Sequence, residues 1–184
     1  MTVDLSKARE GQIAHISLTN GKIAIVDAED FDFLNKWKWC FMAGYAMRKK
    51  YLGVSNGKQK FKNIIMHRLI NNTPDGMETD HVNGDVLDNR KCNLRSCTVS
   101  QNQFNQRKSG INTYSKHKGV TFDKRKMMWI AQIQKNKKRT HLGYFSTEEN
   151  AKLAYNSASR DLHGVFSNVS PMSATLNENK KPCN

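Results

Sequence analysis

The chain has 184 residues, 38% of them apolar, and 30 Lys and Arg against 16 Asp and Glu give a net charge of +14. That length suits one large domain or two small ones, and the apolar share excludes a long disordered chain. Apolar runs such as residues 23–26 fall far short of the roughly 18–20 residues that span a bilayer. Residues 1–30 carry charges throughout, so neither a membrane partner nor a secretory signal is expected, and the location read from this is cytoplasmic.

Four Cys stand at 40, 92, 97 and 183 with no C-x-x-C pair, so no structural zinc is expected and all four read as reduced thiols. Residues 110–145 hold nine Lys or Arg and a single acid, Asp123. Such a field attracts polyanions and binds nucleic acid even without a fitted site. The plainer alternative is a solvated basic surface.

In chain order, His15-Ile16-Ser17-Leu18 and Ile23-Ala24-Ile25-Val26 read as a hairpin closed by a two-residue Asn20-Gly21 turn. Residues 27–32 are acidic and suit the start of a short helix running through Leu34 and Trp37. Trp39-Cys40-Phe41 and Tyr45-Ala46-Met47-Arg48 read as strands broken at Gly44, and residues 61–66 as another strand before His67. Trp37 and Trp39 fit core or sheet-face positions better than base stacking. Residues 73–95 are loop-rich, with turn signals at Asn83-Gly84 and Asp88-Asn89. Residues 98–108 suit a polar helix capped by Thr98 or Ser100.

The C-terminal part alternates cleanly. Residues 119–122, 129–134 and 140–145 read as three strands, with Trp129, Ala131 and Ile133 on one face of the second and Asn136-Lys137 in the turn after it. A helix follows, with a capping box at Ser146-x-x-Glu149, apolar positions at Ala151, Ala154, Tyr155, Ala158 and Leu162, and Gly164 as its stop. The helix face and sheet face bury each other, which leaves the basic residues on the opposite sheet face.

The chemically loaded segment runs from Thr79 to Asn102. It contains Asp80-His81-x-Asn83-Gly84, Asp88-Asn89-Arg90, Asn93-Leu94-Arg95 and Thr98, with Gln101-Asn102 beyond. An imidazole near neutral pKa can take a proton from water, and His81 is the candidate. Asp80 offers a carboxylate and Asn102 an amide oxygen, a sparse hard-oxygen set that suits one Mg²⁺ or Mn²⁺. Asn105 or Gln101 could stand in for Asn102. Adjacent residues on a strand face opposite ways, so Asp80 and His81 need a local bend to serve one site. Asp85 and Asp88 read as turn-forming residues. Arg90 and Arg95 either hold phosphate or pair with nearby acids.

This segment resembles the HNH endonucleases of the phage homing type over roughly residues 60–107. The resemblance implies a ββα-metal finger in which His81 is the general base and Asp80 and Asn102 hold the metal. Asn93 would pin the connecting loop and orient His81. His67 and Arg68 match the lead-in His-Arg of that family, with packing and phosphate contact as their expected roles. Residues 115–168 resemble the APETALA or ethylene-response-factor DNA-binding domains at Lys118-Gly119-Val120, residues 129–133, residues 141–145, Ala151-x-x-Ala154-Tyr155 and Gly164. There a three-stranded sheet lies in the major groove, backed by the helix. Carried over by position, the contacts are Lys118, Thr121, Lys124, Arg125, Lys126, Gln132, Gln134, Arg139 and His141. Gln132, Gln134 and Arg139 are the base readers among them.

The expected fold class is α+β: a strand-rich nuclease domain over 1–108, a linker at 109–114, a three-stranded antiparallel sheet on one helix over 115–170, and a tail from 171. The expected function is a metal-dependent, site-selective endonuclease of double-stranded DNA, cutting both strands or nicking one, phage-borne and monomeric, acting in the host cytoplasm. The alternatives are a transcription regulator with an inactive nuclease half and an RNA- or ribosome-binding protein explained by charge alone.

Overall fold

The computed structural model describes residues 11–106 and 114–167, an α+β chain of small antiparallel sheets and a few helices. The expected linker, apart from Tyr114, and the expected tail lie outside those residues. The chain divides into two compact units, with the break between Thr98 and Val99. No helix among the described residues is long and apolar enough to cross a membrane.

In the first unit β1 (Ile13–Ser17) pairs antiparallel with β2 (Ile23–Asp27). The expected two-residue turn is in fact a longer loop, closed by Leu18 N–H donating to the Lys22 carbonyl at 2.8 Å. Leu18 also bridges to Trp39, and this second partner draws the chain away from a tight turn. Helix α1 (Ala28–Leu34) begins after Asp27, which makes no side-chain cap; its carboxylate accepts Lys91 N–H at 2.7 Å instead.

Strand β3 (Cys40–Met42), β4 (Tyr45–Ser55) and β5 (Lys58–Ile65) form a meander. Its turns hold Ala43-Gly44 and Asn56-Gly57 at positive φ, which matches the twist of two-residue hairpins. The long β4–β5 arm was only partly legible, because alternation disappears where both faces are exposed. Helix α2 (Met66–Ile70) follows. The core gathers Ile16, Leu18, Ala24, Val26, Leu34, Trp39, Ala46 and Met66. Trp39 is 1% exposed and donates its indole N–H to the Leu34 carbonyl, which fixes it as a core residue. Strand β6 (Glu78–His81) then pairs antiparallel with β7 (Leu94–Cys97). Cys40 and Cys97 are free thiols, whereas Cys92 is disulfide-bonded, which corrects the expectation of four reduced thiols.

The second unit begins with α3 (Val99–Asn105) and continues with β8 (Val120–Asp123), β9 (Met128–Lys135) and β10 (Lys138–Phe145), ordered β10-β9-β8 and antiparallel throughout. Helix α4 (Glu148–His163) covers one sheet face, and Val120, Ala131, Ile133, Ala151 and Tyr155 form the core with Trp129 packed against it. The cap is Thr147, whose hydroxyl accepts Asn150 N–H, so it sits one residue after the expected Ser146. Gly164 ends the helix at φ 52°, as its position suggested.

Gly119 is where this unit closes most tightly. It has φ +71°, and a Cβ there would lie 2.1 Å from the Tyr155 ring. Gly119→Ala should therefore cost roughly 1–3 kcal/mol through overpacking and backbone strain. Denaturant unfolding of the full chain would show it, and an unchanged midpoint would contradict this packing.

Candidate active site

Strand β6 ends at His81, and residues 82–93 return the chain to β7. That polar loop is closed by Asn93, itself 3% exposed. The Asn93 amide oxygen accepts Asn83 N–H at 3.0 Å, and its Nδ2 donates to Asn83 Oδ1 at 3.0 Å and to the Asp88 carbonyl at 2.7 Å. Asp85 Oδ1 accepts Leu87 N–H, a turn-forming role as read from the sequence. Asp88 is gripped by the Arg90 guanidinium, with Nε to Oδ1 and Nη2 to Oδ2 both at 2.8 Å. Burial pushes the Asp88 carboxyl up, but Arg90 and the Asn83 amide outweigh it and hold the group below the usual carboxylate range.

The loop is sewn to β2 as well. Ile25 N–H donates to the Leu87 carbonyl at 2.8 Å, and Asn89 N–H donates to the Ile25 carbonyl at 2.7 Å. Asn89 is 1% exposed and its Nδ2 donates to the Leu87 carbonyl. That bond turns Oδ1 toward His81, whose Nε2 lies 3.4 Å away. An amide oxygen only accepts, so Nε2 carries the ring proton and the lone pair resides on Nδ1. Asn89 is a positioning residue that the sequence reading missed. It was visible there only as half of a turn signal.

The other side of His81 is aromatic. His67 meets its ring edge to face at a centroid distance of 4.9 Å, and Tyr45 lies over it at 6.3 Å. Burial lowers the His81 pKa, against the Asn89 bond and the carboxylates of Asp80, Asp85 and Asp88, which raise it. Its imidazole is therefore neutral at pH 7. His67 is 5% exposed, its Nδ1 has no hydrogen-bond partner among the described residues, and burial drives its pKa down to about 3.

Asp80 is 4% exposed and sits opposite Arg95, which donates to its Oδ2 from Nε at 2.7 Å and from Nη2 at 2.5 Å. The carboxylate fits a divalent cation by donor type, but a guanidinium already neutralises it. Among the described residues no group of three His, Cys, Asp or Glu side chains could hold a metal, so a cation at Asp80 needs amide, water or phosphate oxygens beside it. Asn102 stands on α3, in the second unit, while Asp80 and His81 stand in the first. Cys97 is no nucleophile, since burial and the Asp80 and Glu78 charges push its thiol up to about 11.

The three expected phosphate-contact arginines of this unit all have intramolecular partners: Arg68 donates to the carbonyls of Met77 and Pro74, Arg90 pairs with Asp88, and Arg95 with Asp80. In the second unit the register sets Gln132 beside His141 and Gln134 beside Arg139, with Thr121 and Tyr144 flanking Ile130, so the expected contacts share the face opposite α4. Thr121, Gln132, Gln134 and Arg139 also line a groove of about 770 Å³ bordered by α3. Lys124, Arg125 and Lys126 are exposed on the β8–β9 turn, where Lys126 Nζ lies 3.9 Å from the Tyr144 ring centroid. Lys118 is differently engaged. Its ammonium donates to the carbonyls of Gln103, Phe104 and Gln106 and anchors the end of α3.

A curated protein of Acanthamoeba polyphaga mimivirus, named an uncharacterized HNH endonuclease, is 29% identical to the chain over 157 residues, covering 79% of this chain and 73% of that protein. No family model matches the chain. At that distance the likeness supports a nuclease function in general.

The buried histidines make stability depend on pH with a definite sign. Below pH 6.5 the unfolded chain takes up a proton at His67 that the folded protein accepts only near pH 3. This contribution is complete above pH 6.5 and declines as pH drops toward 3. Between pH 6.5 and 5 the loss is on the order of 2 kcal/mol. His67→Gln should show a shallower decline over that interval in denaturant titrations, and identical slopes would mean that His67 is not held neutral.

Proposed function

We propose that the chain is a divalent-metal-dependent DNA endonuclease of the HNH type, with Asp80, His81 and Asn93 in a ββα-metal finger. The observation that carries this reading is a buried, neutral His81 at the end of β6, hydrogen-bonded through Nε2 and beside a buried carboxylate. The named mimivirus relative supports the same class.

In this mechanism Nδ1 of His81 takes the proton from the attacking water, and burial keeps the base unprotonated at neutral pH. Asn89 holds the ring in the required tautomer, and Asn93 keeps the loop from opening behind it. Asp80 and Asn102 would hold Mg²⁺ or Mn²⁺, which when bound offsets the charge that develops on the phosphate and the leaving oxygen. Arg95 would neutralise Asp80 until the cation arrives.

The second unit is the proposed recognition module, of the APETALA or ethylene-response-factor type. Gln132, Gln134, Arg139 and His141 face the same way as Thr121, and Lys124, Arg125 and Lys126 supply phosphate contacts beside them. On this reading the protein is a monomeric homing enzyme, phage-borne, that works in the host cytoplasm and makes a nick or a double-strand cut. One observation favours the inactive-nuclease alternative: the Arg95 guanidinium already occupies Oδ2 of Asp80.

Single-turnover cleavage of plasmid DNA separates the two. The wild type should cut with Mg²⁺ or Mn²⁺ and stop in EDTA. His81→Ala should lose roughly 10²–10⁴-fold in rate with DNA affinity nearly unchanged. Asp80→Ala and Asn102→Ala should raise the metal concentration needed for half-maximal rate. Cleavage by His81→Ala at the wild-type rate, or no metal-dependent cleavage by the wild type, would overturn the assignment.

A further inference from the structure

The charge of the first unit is as uneven as that of the second. Between Asp32 and Asp75 there are nine Lys or Arg and no acid. Six of the nine (Arg48, Lys49, Lys50, Lys58, Lys60 and Lys62) fall on the β4–β5 hairpin.

The register sorts them by face. Lys50 pairs with Lys62, Gly53 with Lys60 and Ser55 with Lys58, the phase being reset by an irregularity at Leu52. Strand alternation therefore places Lys50, Lys62, Lys60 and Lys58 on one side, continuing the row from Arg48. Tyr51, Phe61 and Val54 take the other side, where the two rings stand 5.5 Å apart and all three residues are at least half exposed. At the root of the arm Arg48 is stacked over Trp37 at 4.2 Å, and its Nε has no hydrogen-bond partner among the described residues.

Like charges directly opposite each other on a hairpin are destabilising, and Lys50 against Lys62 is such a pair. The four lysines of the row are exposed and have no acidic partner among the described residues. A local conflict retained in an otherwise consistent fold marks a surface that something else neutralises. Lysines two residues apart along a strand are about 6.6–6.8 Å apart, a linear array that suits a linear polyanion.

We propose that the lysine face of the β4–β5 hairpin grips the phosphodiester backbone of duplex DNA, as a contact separate from the basic sheet of the second unit. The proposal rests on the reading of the chain as a DNA-acting nuclease and deepens it. The substrate is held through two separate basic surfaces, one in each unit, so the first unit has affinity of its own. The exposed Tyr51–Phe61 pair gives the arm a second, apolar side that can lie against sugar or base surfaces.

The test uses full-length protein, a fluorescein-labelled duplex and a Lys50→Gln/Lys60→Gln/Lys62→Gln variant, with affinity measured across a salt series. The slope of log affinity against log salt should become shallower by about 2–3, and affinity at moderate salt should fall about tenfold or more. The variant should melt no lower than the wild type, because the substitutions relieve the Lys50–Lys62 repulsion. A Lys58→Gln/Lys60→Gln variant, altered only near the tip, should flatten the slope by about 1–2. An unchanged slope in both variants would overturn the proposal. So would a loss seen only on phosphatidylserine vesicles, which would assign the arm to anionic lipid. A wild type that never cleaves but whose DNA affinity depends on these lysines would sink the nuclease reading and leave the hairpin contact standing.

Discussion

Twelve residues of polar chain between β6 and β7 must be packed away with Asp88, Asn89 and Asn93 almost wholly buried, at 3%, 1% and 3% exposure. A buried amide or carboxylate without a partner costs about 1–3 kcal/mol, so a loop of this composition is stable only if its bonds close on each other. They do. Asn93 reaches back to Asn83, Asn83 reaches Asp88, Asp88 holds Arg90, and the Asn89 backbone is taken by β2. The position of His81 follows from that closure. Its own carbonyl accepts Gly84 N–H, and its ring faces the one Asn89 oxygen that the loop turns inward.

Alternation along β6 gives the two adjacent residues separate environments. Asp80 meets a guanidinium across the strand pair, whereas His81 meets two aromatic rings and an amide. The Asp80 carboxylate keeps a charged partner, whereas the rings and the amide set against His81 are uncharged, and burial lowers the His81 pKa so that its imidazole is neutral at physiological pH. An imidazole and a carboxylate can thus stand side by side in sequence with different partners.

Much of this was legible before any coordinates. The period-2 face of Trp129, Ala131 and Ile133 and the 3.6-period face of Ala151, Ala154 and Tyr155 specify the second unit's core from local pattern alone. Asp80, His81 and Asn93 stood out because their spacing matches the motif of the HNH endonucleases that this segment resembles. What could not be read depends on distant partners. Nothing near Lys118 in sequence announces that it anchors α3, and nothing near Asn89 announces His81. The outer part of the β4–β5 arm, residues 49–60, escaped for the opposite reason, since both its faces are largely exposed there and neither period survives. The cap at Thr147 differs from Ser146 by one position, the scale on which neighbouring hydroxyls compete for the same helix end.

The central claim is that a closed polar loop presents His81 as a neutral imidazole with its proton on Nε2. Long-range proton–nitrogen NMR of the histidine side chains in the full-length protein, with His81→Gln to assign the signal, reads this directly. At pH 7 the His81 ring should show a protonated Nε2 and a bare Nδ1, and it should stay in that form as the pH falls below 6.5. A ring protonated on both nitrogens at pH 7, or carrying its proton on Nδ1, would contradict the account.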